Sequence, residues 1–335
     1  MTPVLRGAMR TVPIFAVVAP EARTGKTHLV RLCAALATGH DPIPNAGGHS
    51  PEEMEKRIET AALAGRAIMH FNNLPNGMVL ETEGLCQMSS EGQVTIRKMG
   101  RHREGLCDCR ATTIFVNGNN ISVGADLVPR TLVCRLDAQT DQPGTREFTF
   151  DPIDDRVRGH RGAYLAAIFT IARAFMTAGC PRPATIHAVA GYEEWSRWVQ
   201  QPLMWLGMDD PCGGMTEARA LDPKLEEVRQ LLDVLKKYRK EIAGRFSVAD
   251  CAKLADEIIS DLKGRPIYRR QDLRDLMMSH GKMDNRAFGH LLRRCRDRRV
   301  EGWFIKFVSD SRNYAVYQLV GPGGEQPKEK EPDAM

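Results

Sequence analysis

The segment that most constrains the fold is an apolar run followed by a short turn and a helix-like pattern. Ile14 to Ala19 has the composition of a buried β-strand, and Lys26 to Thr38 has the apolar spacing of an amphipathic helix. The turn between them ends in Gly25-Lys26-Thr27. Further alternation of such strands and helices along the first half of the chain predicts an α/β fold.

The turn has the parts that a phosphate-binding loop needs. A glycine-containing turn leaves backbone N–H groups pointing inward, and the helix behind it adds its positive N-terminal end. In such a loop Lys26 reaches the β- and γ-phosphates and the Thr27 hydroxyl ligates Mg²⁺. We therefore predict ATP and Mg²⁺ as ligands. The predicted nucleotide contacts are Arg23, Thr24, Gly25, Lys26, Thr27 and His28.

The turn departs from the full G-x-x-x-x-G-K-[ST] pattern at its beginning. Pro20 stands where the first glycine is expected, and Arg23 stands where glycine is common. A bulky Arg23 narrows the conformational choice of the loop. The alternative interpretation is that a glycine, a lysine and a threonine open a helix by chance, but the flanking strand and helix patterns disfavour it.

Composition is typical of a globular protein of two domains. The 335 residues are 42% hydrophobic and 27% charged. No apolar stretch approaches the roughly 20 residues needed to span a bilayer, and the N-terminus lacks the apolar region of a secretory signal. We expect a cytoplasmic protein without membrane contact. The nine cysteines follow no disulfide framework, and Cys107-Asp108-Cys109 with His102 has the wrong spacing for a zinc finger.

The periodicity of the chain predicts four parts. Residues 1–160 form a P-loop core with a mostly parallel sheet covered on both faces. Residues 161–245 form a helical lid or linker. Residues 246–320 have three helices and a two-stranded ribbon, the arrangement of a winged-helix domain. Residues 321–335 are rich in Pro, Glu and Lys and predict a disordered tail.

Individual elements follow from the same patterns. The predicted strands are Ile14 to Ala19, Ala67 to Leu74, Gln93 to Met99, Thr112 to Val116, Thr131 to Leu136, and two within Trp303 to Val320. The predicted helices are Lys26 to Thr38, Pro51 to Ala64, one from Arg161, Glu193 to Leu206, Leu225 to Ile242, Val248 to Leu262, Arg270 to His280 and Asn285 to Arg299. Trp195, Trp198 and Trp205 have helical spacing, which favours a core stripe over a base-stacking platform.

Basic residues are concentrated near the C-terminus. Between Lys263 and Lys306 there are 13 Lys and Arg against 5 Asp and Glu. In the last predicted helix, Phe288, Leu291, Leu292 and Cys295 form the apolar face and arginines cover the rest, which is typical of a DNA recognition helix. The alternative is an ordinary solvated face. The predicted DNA contacts are Arg286, Arg293, Arg294, Arg298, Arg299 and Lys306, and Arg296 shares the same helix surface.

Polar residues follow two of the predicted core strands. In a P-loop ATPase a strand next to the loop strand, or one beyond it, ends in a carboxylate that holds Mg²⁺ through water. Here the strand ends in Asn72-Asn73, and an amide neither offsets the cation's charge nor accepts a proton. The chain is therefore either a weakened hydrolase or recruits an acid from elsewhere. Candidate acids are Glu53, Glu81 and Glu83; alternatively, Asn72 and Asn73 merely end a strand.

Two further residues have candidate roles in the nucleotide site. Asn119 follows the strand Thr112 to Val116 and fits a sensor that contacts the γ-phosphate or its attacking water, although Asn117 to Asn120 alone is typical of a turn. Arg130 precedes the strand Thr131 to Leu136 and fits an arginine finger reaching a neighbouring subunit's nucleotide. The alternative for Arg130 is an ordinary surface arginine.

Several runs together resemble the ATPase region of primase–helicase-like proteins from prophages, plasmids and integrated elements. These runs, within roughly Pro13 to Asp222, are Ala111 to Asn120, Gly124 to Leu127, Arg130, Cys134 to Ala138, Arg146 to Phe148, Asp151-Pro152, Arg161 to Tyr164 and Trp205 to Gly207. The resemblance implies an AAA+ fold, similar to superfamily 3 helicases that act as rings. It assigns Lys26 and Thr27 to Walker A, Asn72 to the Walker B aspartate position, Asn119 to sensor 1 and Arg130 to the arginine finger.

The resemblance also implies partners. Relatives of this kind act as homo-oligomeric rings, so we expect a hexamer on DNA. They usually carry a primase or Toprim-like domain before the ATPase, whereas here the first strand begins about a dozen residues into the chain. We therefore expect either a separate helicase subunit or a truncated reading frame, with a primase as a separate partner.

Two functions follow, and a third is weaker. The first is an ATP-dependent DNA helicase or translocase of a mobile element or prophage, with hydrolysis impaired by Asn72. The alternative is a nucleotide-gated DNA-binding initiator or loader with weak or no hydrolysis. A small-molecule P-loop kinase is disfavoured by the basic C-terminal region.

Overall fold

A computed structural model describes residues 1–48, 50–97, 104–140, 142–146, 152–183, 185–186, 189–220, 222–242, 245–260, 265–311 and 314–322. The chain divides into two compact units, Met1–Asp222 and Pro223–Met335. Most of the predicted tail, from residue 323 onward, lies outside the described residues, as do His102, Phe148 and Asp151. Each unit has its own apolar core and is described separately.

The first unit is built on a five-stranded parallel sheet. The strands of this unit are β1 (Ile14–Ala19), β2 (Pro44–Ala46), β3 (Ile68–Leu74), β4 (Val79–Leu80), β5 (Gln93–Arg97), β6 (Glu104–Asp108), β7 (Thr113–Asn119), β8 (Ser122–Val123) and β9 (Thr131–Arg135). The sheet has the order β2-β3-β7-β1-β9, and its adjacent strands are all parallel. Outside this sheet, β4 pairs with β8 and β5 pairs with β6.

Helices connect and cover the strands of this unit. They are α1 (Lys26–Thr38), α2 (Pro51–Leu63), α3 (Glu83–Glu91), α4 (Ile153–Gly159), α5 (Arg161–Thr177), α6 (Glu193–Trp195), α7 (Gln201–Trp205) and α8 (Gly213–Ala220). A π-helical turn, Ser196–Gln200, joins α6 to α7. Within the described ranges, no helix combines the length and apolar character required to cross a bilayer.

The central sheet is buried on both faces, as the sequence predicted. Alternate residues of a strand point to opposite sides. Ile14 and Val18 of β1 belong to an apolar cluster that includes Met54 of α2. Val17, between them, belongs to a second cluster that includes Val30 of α1. The mixed α/β fold with a parallel sheet is therefore confirmed, and the predicted bounds of β1 and α1 are correct.

Some predicted elements differ from the structure. The predicted strand Gln93 to Met99 is present as β5 over Gln93–Arg97, but it forms an antiparallel hairpin with β6 instead of joining the central sheet. Its residues Val94 and Ile96 are nevertheless buried in the core shared with α2. The edge strand β2 and helix α3 were not predicted. Three residues that include a proline carry too little periodicity to indicate a strand, and α3 mixes small and polar residues.

Helix α5 buries few residues, whereas α6 and the π-helical turn contribute Trp195 and Val199 to an apolar cluster with Leu132 of β9. In α5 the buried positions are Ile168, Ala172 and Phe175. The Phe175 ring contacts Trp205 edge-on, with ring centroids 5.8 Å apart. Trp195 is 1% exposed and its indole Nε1 donates to Thr2 Oγ1 at 2.9 Å. The tryptophan stripe is thus a core feature at Trp195, as predicted, while Trp205 remains 38% exposed.

We predict that Gly214→Ala destabilises the first unit by about 1–3 kcal/mol, the usual range for overpacking. A Cβ built on Gly214 lies 2.3 Å from the carbonyl oxygen of Val133 in β9, and this backbone atom has no room to move without disturbing the sheet. The measurement is denaturant unfolding. Gly213→Ala is the matched control, because its Cβ meets nothing within 4 Å. Equal unfolding midpoints for the two variants would contradict the close α8–β9 packing.

The second unit combines helices with a three-stranded antiparallel sheet. Its elements are α9 (Pro223–Lys237), β10 (Arg245–Ser247), α10 (Val248–Ala255), β11 (Ile258–Ser260), β12 (Pro266–Tyr268), α11 (Gln271–Met277), β13 (Met278–Ser279), β14 (Lys282–Met283), α12 (Asn285–Cys295), β15 (Phe304–Ser311) and β16 (Tyr314–Val320). The sheet order is β10-β16-β15. Two short hairpins, β11-β12 and β13-β14, flank α11.

Local sequence signals explain where two helices of this unit begin. Ser247 and Asp250 form a reciprocal capping box at the start of α10. Asp284 caps α12 by accepting the N–H of Ala287 at 2.8 Å. The predicted helix from Val248 ends early, at Ala255, because the chain turns into the β11-β12 hairpin that starts at Ile258.

The first helix of the second unit falls within the segment predicted to be a lid or linker. Helix α9 supplies Val228, Leu231, Leu232 and Leu235 to the core of this unit, where they join Phe288 and other residues. The boundary between the two units lies at residue 222, earlier than residue 246 where we predicted the new domain. The apolar face of α9 predicts that the helix packs against another part of the chain. It does not identify which part.

Candidate functional site

The predicted phosphate loop joins the C-terminal end of β1 to the N-terminus of α1. Gly25 has φ +99° and Arg23 has φ +60°, so both adopt the left-handed backbone conformation. A Cβ on Gly25 would meet nothing within 4 Å, so glycine is favoured there by its backbone angle rather than by space. Arg23 adopts a conformation that costs a non-glycine residue about 1–2 kcal/mol. This explains why glycine is usual at that position.

Lys26 is folded over the loop and is 8% exposed. Its Nζ donates to the carbonyl oxygen of Glu21 at 2.6 Å and to Thr24 Oγ1 at 3.0 Å. Burial lowers the pKa of Lys26 below its usual range. Within the described residues it forms no ion pair, and both of its hydrogen-bond partners are neutral. A buried ammonium with neutral partners favours a nearby anion.

A chain of hydrogen bonds connects the first turn of α1 to the ends of two strands. Thr27 Oγ1 donates to Asn72 Oδ1 at 2.9 Å. Asn117 Nδ2 donates to both of these atoms, at 3.2 Å to Thr27 Oγ1 and 3.0 Å to Asn72 Oδ1. His70 Nε2 donates to Asn117 Oδ1 at 2.6 Å. Burial lowers the pKa of His70, although the hydrogen bond to Asn117 acts in the opposite direction. The lowered pKa favours the neutral ring.

Strand irregularity helps to place Asn72. The pairing of β3 with β7 shifts register between Phe71 and Leu74, and Asn73 has φ +55°. A bulge of this kind bends a strand and re-aims its side chains. The carboxyl ends of β1, β3 and β7 therefore meet at one edge, where ligands of open parallel sheets bind.

The protein groups at this edge fit a Mg²⁺ ion whose ligands are mainly phosphate and water oxygens. Thr27 offers a hydroxyl and Asn72 an amide oxygen, and both are uncharged. Mg²⁺ commonly keeps several waters and takes few protein ligands beside a nucleotide. Among the described residues, no group of three or more His, Cys, Asp or Glu side chains is arranged to hold a metal ion. Thr27 would hold the ion directly. The predicted contact of Asn72 through water stays a prediction, because the amide oxygen of Asn72 already accepts hydrogen bonds from Thr27 and Asn117.

The three candidate acids lie in different places. Glu53 is in the first turn of α2 and accepts from Arg57 Nε at 3.1 Å. Arg57 also donates to the carbonyl of Ala46, which pairs in register with Asn72. Glu53 therefore lies along the sheet edge that carries the site. Glu83 begins α3, where its side chain accepts from Gln87, and Glu81 lies between β4 and α3 near Gly124.

The sequence prediction selected Asn119, whereas the structure brings Asn117 into the hydrogen-bond network. Asn119 ends β7 opposite Ala19, and Asn117 pairs with Val17 two positions earlier on the same face. Asn117 is 1% exposed. Residues two positions apart on a strand point to the same face, so Asn117 shares the face of Asn119. The overlooked signal was that a buried amide inside an apolar run has to find hydrogen-bond partners. Asn119 lies at the edge next to the loop, where its sensor role stays a prediction.

Arg130 lies away from the loop of its own chain. It immediately precedes Thr131, which pairs with Ile14 at the start of β1, whereas the loop follows the end of that strand. Arg130 Nε donates to Ser90 Oγ at 2.5 Å. The structure thus does not bring Arg130 together with Lys26, so the proposed contact with a nucleotide requires a neighbouring subunit.

Two further features of the loop surroundings were not predicted. Arg146 Nη2 donates to the carbonyl of Thr24 at 3.2 Å. A Cβ on Gly144 would lie 3.1 Å from Arg23 Cδ, so residues 143–146 lie against the loop. His28, a predicted nucleotide contact, instead has Nδ1 3.6 Å from Asp154 Oδ2 in α4.

The predicted DNA contacts of the second unit differ in their freedom to bind. Arg286, Arg293 and Arg298 are exposed. Arg294 is tied to α9, because its Nε donates to Glu227 Oε2 at 3.0 Å. The other two predicted contacts, Arg299 and Lys306, lie near or on β15. Arg299 stacks on the Phe304 ring at 4.3 Å, and Lys306 is exposed on β15.

Comparison with known proteins identifies no family for this chain. No protein-family model matches the sequence, and no curated protein matches it. One similar solved structure is the A form apo structure of the C-terminal region of NrS-1, at 10% identity and a TM-score of 0.27. The alignment covers 76% of this chain and 65% of that chain. This TM-score does not establish a shared fold, so we base the functional proposal on this chain's own residues.

Proposed function

We propose that the first unit binds ATP with Mg²⁺ and that the chain is an AAA+-type, DNA-translocating or unwinding replication protein of a mobile element or prophage. The observation that carries the proposal is the convergence of Lys26, Thr27, Asn72 and Asn117 at the carboxyl edge of a parallel sheet. A helix N-terminus lies behind them, and this combination is suited to a triphosphate.

The proposed roles follow from the chemistry of each side chain. Lys26 neutralises phosphate charge, and Thr27 holds the cation that the nucleotide brings. Asn72 and Asn117 hold Thr27 in place and, with Asn119, orient water near the terminal phosphate. Arg130 completes the site of a neighbouring subunit in a hexameric ring. A separate primase is the proposed replication partner.

A second function is favoured by one specific observation, the uncharged character of the triangle formed by Thr27, Asn72 and Asn117. With Asn72 in place of aspartate, no carboxylate of the described residues takes part in its hydrogen bonds. Under this alternative, ATP is a structural ligand that gates DNA binding by an initiator or loader, with weak or no hydrolysis.

Replacing Lys26 by alanine is expected to weaken ATP affinity about 10- to 100-fold, because it removes a charge-assisted contact to phosphate. Isothermal titration calorimetry with ATP and Mg²⁺ measures the change. Lys56→Ala is the control, since Lys56 is an exposed lysine on α2 of the same unit. Unchanged ATP affinity in Lys26→Ala would refute the assigned phosphate contact.

Replacing Asn72 by aspartate distinguishes the motor from the gate. The introduced carboxylate accepts the same two hydrogen bonds from Thr27 and Asn117 and adds the missing charge, so we expect correct folding. If the chain is a motor, steady-state ATP turnover with single-stranded DNA rises about tenfold or more. Asn73→Asp is the control because Asn73 is exposed and lies one residue outside the network. Turnover that stays at background in Asn72→Asp supports the gate.

DNA binding is proposed for the second unit, interpreted as a winged helix with α12 as the recognition helix. Charge reversal at Arg293 and Arg298 should weaken binding to every sequence and flatten its dependence on salt, because fewer counterions are released. Fluorescence anisotropy at several salt concentrations measures both effects. The control is charge reversal at Lys240 and Lys253, two exposed lysines of the same unit that are not among the predicted DNA contacts. Equal losses in the two variants would rule out the assigned DNA face.

A further inference from the structure

His70 is an unusual residue to find in the middle of a buried strand. It is 1% exposed, and its neighbours in β3, Met69 and Phe71, are apolar and also buried. Its Nε2 donates to Asn117 Oδ1 at 2.6 Å, while its Nδ1 is buried without a hydrogen-bond partner among the described residues. An apolar side chain at this position would avoid the unsatisfied nitrogen. The bond to Asn117 is therefore what the imidazole contributes here.

That bond fixes which end of the Asn117 amide faces the nucleotide site. Because His70 Nε2 donates, the amide oxygen of Asn117 has to face His70. The Asn117 Nδ2 then faces the other way and donates to Thr27 Oγ1 and Asn72 Oδ1. If the amide were turned over, its oxygen would face the oxygen of Asn72, that contact would be lost, and the two oxygens would compete for the single hydroxyl proton of Thr27. The hydrogen bond from His70 therefore sets the orientation of the Asn117 amide within the triangle.

We propose that His70 is a positioning residue that orients Asn117 and, through it, Asn72 and Thr27 for the nucleotide. The inference rests on the proposed ATP site and deepens it. With Asn72 Oδ1 held by Thr27 and Asn117, Asn72 Nδ2 makes no hydrogen bond within the described residues. The Walker B position therefore presents a donor, which suits a phosphate oxygen or the lone pair of a water.

Three substitutions of His70 test this role by Mg²⁺-ATP binding in calorimetry. His70→Gln keeps a donor near the place of Nε2, because the glutamine amide nitrogen is equally far along the side chain. His70→Asn places its donor near the position of Nδ1, and His70→Leu has none. We expect Mg²⁺-ATP affinity within about twofold of the unaltered chain for Gln, and about fivefold or more weaker for Asn and Leu.

Thr113→Val is the matched control for general disturbance of the sheet. Thr113 is fully buried in β7 and its hydroxyl has no partner in the described part of the chain, but it lies outside the network. We expect its ATP affinity to be unchanged. Affinity in His70→Leu equal to that of Thr113→Val would overturn the inference alone. Failure of the unaltered chain to bind any ATP would overturn the proposed function, and the inference with it.

A spectroscopic measurement tests the same role in the unaltered chain. In ¹⁵N NMR of the nucleotide-free full chain, the His70 ring should carry its proton on Nε2 and none on Nδ1. The signal is assigned by its disappearance in His70→Gln. A ring protonated on Nδ1 alone would overturn the inference, because such a ring has no donor for Asn117.

Discussion

The hydrogen-bonded triangle of Thr27, Asn72 and Asn117 is the contact on which the site depends. It joins the first turn of α1 to the ends of β3 and β7, so three separate segments share one edge. Small displacements of any of them would break two bonds at once. Buried polar networks of this kind are strong when every member is satisfied and costly otherwise. Lys26 directly precedes Thr27, so this junction also anchors the end of the loop at the start of α1.

Sequence reasoning predicted the parts of the site that carry local signals. The β1–loop–α1 unit was predicted with correct bounds because an apolar run, a glycine and an amphipathic period lie next to each other. The apolar run before Asn117 indicated a buried amide in need of partners, but the partners themselves depend on β3 and β7 lying side by side, which no local pattern states. The antiparallel β5-β6 hairpin was missed for the same reason. Helix α9 shows that an apolar face does not identify its partner.

The distribution of charge explains why two functions compete. The loop side of the site has one buried ammonium, Lys26, while the strand side of the triangle has amides and a hydroxyl. Phosphate binding needs positive charge and N–H donors, and both are present. Activation of water needs an acceptor for its proton, and the triangle supplies none. Under the proposed function, the described residues therefore supply more of what ATP binding needs than of what hydrolysis needs, and Glu53 is the candidate acid that lies along the same edge.

The place of Arg130 connects hydrolysis to assembly. Strand β1 has six residues and spans about 20 Å at roughly 3.3 Å per residue. Arg130 is beside the beginning of this strand and the loop follows its end. A side chain at one edge of the sheet does not serve the opposite edge of the same chain. If the transition state of the proposed reaction requires Arg130, a second copy has to supply it, and under the proposed function an isolated chain would bind nucleotide without the full catalytic set. The proposed function then separates nucleotide binding by single chains from turnover by assembled chains.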